Sequence, residues 1–103
     1  MTVKLTVIYD NPADPEAFEA HYASKHAELA AELPSVLRVE TAKVFPKEDG
    51  SPTPAYRTAD VYFADYDTAC AALASPQGQA LVADVKQLAT GGVRLLLSDV
   101  EGS

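Results

Sequence analysis

"YDNPADPEAFEAHYASKHAELAAELPSV", residues 9–36, joins the end of a strand to a helix and carries both histidines of the chain. Ahead of it, "VKLTVIY" (3–9) sets Val3, Leu5, Val7 and Tyr9 against Lys4, Thr6 and Ile8, the period of two of a half-buried strand. Within it, Asp14 fits an N-cap, Pro15 the first helical position, and Glu16 the positive end of the helix dipole. From Phe18 the apolar positions fall at 18, 22, 29 and 33, a helical stripe, and Pro34 stops the helix. Strand, turn, helix: the rest of the chain repeats this grammar.

"SVLRVETAKVF" (35–45) and "AYRTADVYFA" (55–64) read as strands, and "VRLLLSDV" (93–100) as a fourth. The segment 46–54, "PKEDGSPTP", holds three prolines and is expected to be an exposed and mobile loop. Asp65 or Asp67 can cap a helix through "TACAALAS". Ser75 and Pro76 open another, with Leu81, Val85 and Leu88 on one stripe, and Gly91 and Gly92 close it. The order is β-α-β-β-α-β with the second helix broken near Ser75. This predicts one α+β domain over residues 1–103, a ferredoxin-like four-stranded antiparallel sheet with helices on one face. The other face would carry Ile8, Ala42 and Leu96, joined by Val61 and Phe63 if their register points outward. Apolar surface of that kind predicts a homodimer through the open sheet face.

Composition narrows the partners. The 103 residues are 48% apolar and 22% charged, ordinary for a folded domain. Eight Lys and Arg against fifteen Asp and Glu leave a net charge of −7, which disfavours nucleic acid. No apolar run is long enough to span a membrane, and the first ten residues read as a strand rather than a signal peptide. Cys70 is the single cysteine, in a small apolar setting, so it reads as a structural thiol of a cytoplasmic protein. There is no Gly-rich phosphate loop, no nucleophile elbow and no Cys/His metal cluster, so no cofactor and no metal is expected.

The two histidines carry the functional question. On a regular α-helix, residues five apart point roughly 140° away from one another. His21 and His26 then cannot share a metal. His21 aligns with Lys25, Glu28 and Glu32, the polar side, and reads as a solvated residue. His26 aligns with Phe18, Tyr22, Leu29 and Leu33, the buried side. It is either a core histidine satisfied by a backbone carbonyl or Tyr22, or an imidazole facing a cavity between helix and sheet. Tyr9 and Tyr22 are placed to orient a polar ligand. Asp10 and Asp84 are supporting acids or solvated charges.

The stretch 9–36 resembles the EthD family, named for ethyl tert-butyl ether degradation, of the dimeric α+β barrel superfamily. Tyr9, Pro12, Pro15, Phe18, Tyr22, His26, Leu29 and the pair Leu33-Pro34 match its opening pattern, with Glu28 where the family has proline. The resemblance implies a cavity between helices and sheet, a homodimer with sheets back to back, and His26 as the functional position. Related barrels include isomerases, cyclases and cofactor-independent monooxygenases. The reading is a cofactor-independent enzyme, of isomerase, cyclase or oxidoreductase type, acting on a hydrophobic aromatic or lactone-like metabolite. His26 would be the general acid/base, with Tyr9 and Tyr22 as substrate-binding residues. The alternatives are a non-catalytic binding or accessory protein for a hydrophobic small molecule or a partner oxidase, and a haem protein with His26 as axial ligand.

Overall fold

The computed structural model describes residues 2–102. Four strands, β1 (Thr2–Tyr9), β2 (Arg38–Lys43), β3 (Arg57–Phe63) and β4 (Val93–Val100), form one sheet in the order β2-β3-β1-β4. Every neighbouring pair is antiparallel. The fold is the ferredoxin-like α+β arrangement, with β1 and β3 at the centre.

Register decides what each face carries. Val3, Leu5, Val7 and Tyr9 stand opposite Phe63, Val61, Ala59 and Arg57 on β3. These point to the helices, and β1 alternates buried and half-buried along its length, as its period of two requires. Val61 and Phe63 therefore face inward, settling the register the sequence left open. The outward residues of β3 are Thr58, Asp60 and Tyr62.

That outer face is more polar than expected. Thr6 donates to Asp60 Oδ1 at 2.6 Å, and Lys4 pairs with the same oxygen at 3.5 Å. Tyr62 donates to Glu40 Oε1 at 2.7 Å, beneath the Arg38 guanidinium at 4.2 Å from its ring. Only Ile8, Ala42, Leu96 and Val100 interrupt this ladder with apolar side chains.

The strands are shorter than the alternation suggests. β2 begins at Arg38 and β3 at Arg57, although single bonds from Leu37 N to Tyr62 O and Val44 N to Tyr56 O extend their pairing. Beyond them the ladder gives way to the segment 46–54, which is exposed apart from Ser51 and Thr53.

Four helices, α1 (Pro15–His21), α2 (Ala27–Ala31), α3 (Tyr66–Ala74) and α4 (Pro76–Leu88), pack on the inner face. Asp14 caps α1 by accepting from the amides of Glu16 and Ala17, and Asp65 caps α3 by accepting from Thr68. Ser75 separates α3 from α4. Its hydroxyl donates to Ala72 O at 2.6 Å and accepts from Gly78 N at 3.0 Å. Gly78 is required there, because a Cβ would strike the carbonyls of Ala72 and Leu73. Cys70 is half-buried on α3.

One difference from the expected helix matters most. Between α1 and α2, residues Tyr22–His26 form a π-helical turn, so the helix from Pro15 to Ala31 is not regular. The Ser24 hydroxyl donates to Ala20 O at 2.7 Å, occupying a carbonyl of α1 just ahead of the wider turn. Among the described residues, no helix is long and apolar enough to cross a membrane.

Candidate active site

A cavity of about 300 Å³ lies between the helices and the sheet. Leu5, Val7, Ala59 and Val61 form its floor, and Ala27, Ala30, Leu81 and Val85 its roof. Val39 and Leu95, from the two edge strands, stand at its sides. The wall is aliphatic except at one end, where Tyr9, Tyr22 and His26 converge, and at Thr41.

Each aromatic residue at that end arrives for a local reason. Tyr9 is the last inward residue of β1 and is fully buried. Phe18 and Tyr22 follow one another by four along the helix and stack, with ring centroids 5.7 Å apart. Tyr22 in turn stacks on the His26 ring at 5.1 Å, while Tyr9 meets both edge-on. The guanidinium of Arg57 lies 4.6 Å from the Tyr22 ring, held by Glu19 at 2.7 Å. Burial raises the pKa of Tyr9 and of Tyr22 above the usual phenol range, so both keep their protons at neutral pH. Arg57 opposes that rise at each.

His26 is 7% exposed and fully committed. Its Nδ1 lies 3.0 Å from Asp84 Oδ2, and its Nε2 is 3.4 Å from the Tyr9 hydroxyl. Asp84 sits on the buried stripe of α4 between Leu81 and Val85, 3% exposed. Burial pushes its carboxyl upward, but hydrogen bonds from His21 and His26 outweigh burial and hold it below the usual range. An ionised carboxylate only accepts, so His26 must donate through Nδ1–H. Whenever the imidazole is neutral, its lone pair is then on Nε2, toward Tyr9 and the cavity. Asp84, His26 and Tyr9 form one chain of contacts from helix to strand.

His21 is corrected by the structure. Its Nε2 donates to Asp84 Oδ1 at 2.8 Å, and its side chain is only 28% exposed. The reason is the π-helical turn, whose extra residue per turn swings positions 21 and 26 toward one carboxylate. The regular-helix angle would have kept them apart. Lys25 also reaches Asp84 Oδ1, at 3.7 Å. Asp84 is thus a buried member of the site rather than a solvated charge, whereas Asp10 lies away from it and pairs loosely with Arg94. Serine in a helix interior at position 24 was the one sequence signal that could have suggested the irregular turn.

Comparison with known proteins places this geometry. Residues 10–92 match the model of the EthD domain. An uncharacterized 11.0 kDa protein of the thcB-thcC intergenic region of Rhodococcus erythropolis is 45% identical over 98 residues, covering 95% of this chain and 94% of its own. The crystal structure of an ethyl tert-butyl ether degradation family protein from Bacillus halodurans superposes with a TM-score of 0.90 at 24% identity, over 97% of this chain and 99% of its own. A hydroxynitrile lyase from Passiflora edulis shares the fold with a TM-score of 0.79 at 9% identity, over 99% and 95%. With more than three quarters of its length matched to the domain, the chain belongs to the EthD family.

Proposed function

We propose that this protein is a cofactor-independent enzyme that moves a proton on a hydrophobic, uncharged metabolite, aromatic or lactone-like, with His26 as general acid/base. One observation carries the reading: the His26 Nε2, made a lone-pair nitrogen by Asp84, meets the Tyr9 hydroxyl at the polar end of an aliphatic cavity. A carbonyl compound would bury its rings or alkyl part against the strands and place its oxygen at the tyrosines. A C–H or O–H beside that carbonyl then lies within reach of Nε2. Its proton passes to Nε2 while the bonding pair moves onto the substrate and charge grows on the carbonyl oxygen. Tyr9, held protonated, donates to that oxygen, and Tyr22 packs the imidazole face. Asp84 stabilises the imidazolium. Return of the proton to a different atom completes an isomerisation, and such help is worth roughly 10²–10⁴ in rate.

Among the described residues no Lys or Arg lines the cavity, which argues for an uncharged substrate. The sheet face that the helices leave bare supports a homodimer as part of the same reading, with a second copy covering Ile8 and Leu96. Sedimentation at low micromolar concentration should give twice the chain mass of 10.9 kDa.

The test is deuterium exchange of 2-tetralone and an unsaturated γ-lactone in D2O, followed by NMR. Catalysed exchange that disappears in His26→Ala supports the enzyme. Stabilisation of the fold by these compounds without exchange would favour the binding or accessory reading, to which the mostly aliphatic wall is suited.

A further inference from the structure

We infer that His21 is a positioning residue for His26, acting through the shared carboxylate of Asp84; this rests on the reading of His26 as the acid/base. The two oxygens of Asp84 are divided between two imidazoles, Oδ2 to His26 Nδ1 and Oδ1 to His21 Nε2. A carboxylate held at one oxygen can rotate about its last side-chain bond, whereas one held at both cannot. With Asp84 fixed, only one His26 tautomer is compatible with its neighbour, the one that puts the lone pair on Nε2, facing the Tyr9 hydroxyl and the cavity. Releasing Oδ1 lets the carboxylate turn, and His26 can then carry its proton on either nitrogen. Lys25 is a poor substitute, because its ammonium stands 3.7 Å away on a side chain 63% exposed. The π-helical turn gives the clamp its geometry. It brings to one carboxylate two rings that a regular helix of the same sequence would separate.

The charged and titratable groups facing Asp84 are His21 just ahead of the π-helical turn, Lys25 and His26 within it, and the Tyr9 hydroxyl from β1. Asp14 shares with His21 a pocket between α1 and the end of α4, lined also by Phe18 and Leu88. All of these except His21 itself remain in the variants below.

The experiment is long-range nitrogen–proton NMR of the imidazoles at pH 8.5, without any ligand. In the wild-type chain the two histidines should show opposite tautomers, His26 with its proton on Nδ1 and His21 with its proton on Nε2. Finding His21 protonated on Nδ1 would overturn the clamp, even if no variant could be made. In His21→Leu the His26 signals should move to the average of both tautomers, and His21→Gln, which restores a donor to Asp84, should bring back the single one. His26 unchanged in His21→Leu would also overturn the proposal. Where 2-tetralone exchange is catalysed, His21→Leu should lower its maximal rate by about tenfold or more with half-saturation unchanged. An intact clamp in a protein that catalyses no exchange would sink the enzymatic reading and leave the clamp. Catalysis with His26 indifferent to position 21 would do the reverse.

Discussion

The two faces of the sheet use polar residues in opposite ways. On the outer face Lys4, Thr6, Asp60, Tyr62, Glu40 and Arg38 form a ladder in which Asp60 and Glu40 each have two partners within reach of water. On the inner face polar groups are few and buried, and Asp84, His26 and Tyr9 are tied in series. A ladder tolerates the loss of a rung, because water replaces the missing partner. A buried chain does not, because each member is the answer to the desolvation of the next. The proposed proton transfer rests on this difference: a group kept dry and oriented by a buried carboxylate can be poised for it, while a redundantly paired surface charge cannot.

Removing one carboxylate from each face should break or confirm that contrast. Asp84→Ala leaves two imidazoles and Lys25 without their acceptor inside the protein and should cost about 3 kcal/mol. Asp60→Ala removes partners that are partly solvated and should cost at most about 1 kcal/mol. Urea denaturation of both variants reads the difference. Equal losses would mean that the site is no more dependent on its carboxylate than the surface is.

The pH dependence sharpens the same comparison at each end of the scale. Asp84 has its folded pKa depressed, so its share of stability is present above the unfolded carboxylate value of about 3.9 and is lost as pH falls through the lower folded value. Asp84→Asn should therefore lie well below wild type at pH 7 and approach it in strong acid. Tyr9 is shifted the other way, chiefly by burial, so its contribution is present at neutral pH and declines as pH climbs above the unfolded phenol value of about 10. Tyr9→Phe should flatten that alkaline decline. A stability profile of Tyr9→Phe parallel to wild type from pH 8 to 11 would mean that the hydroxyl is hydrated rather than buried at the cavity end.

How much of this was legible in the sequence follows from which forces act locally. Period-two alternation placed β1 to within one residue, because burial of one strand face is written into every second side chain. The caps at Asp14 and Ser75 were legible for the same reason, since each bonds amides only two or three residues ahead. His26, Tyr9 and Tyr22 do converge on the cavity, as their helix and strand phases required. The role of Asp84 was not legible, because its partners lie 58 and 63 residues away and nothing near it in sequence announces them. Ile8, Ala42 and Leu96 do face outward, but the orientation of β3 was not legible, because its register depends on long-range pairing, which local alternation does not fix. His21 was misplaced for a sharper reason. A constant angle per residue was applied across a turn in which that angle changes.

The smallest predicted effect addresses that turn directly. Ser24 Oγ donates to Ala20 O at the start of the widened segment, on an exposed side of the helix. Serine to alanine at an exposed helical site ordinarily gains stability, by about 0.5 kcal/mol, because alanine is the better helix former. Here the hydroxyl also satisfies a carbonyl in a turn whose backbone bonding is irregular, a net worth of about 0.5–1 kcal/mol. The two terms nearly cancel, so Ser24→Ala should change stability by less than about 0.5 kcal/mol in either direction. Its more telling readout is the hydrogen exchange of the amides from Tyr22 to Ala27, which should quicken without a matching change in α4. If those amides instead slow and stability rises by the full propensity gain, the turn has reverted to a regular helix. His21 should then leave Asp84 in the same variant.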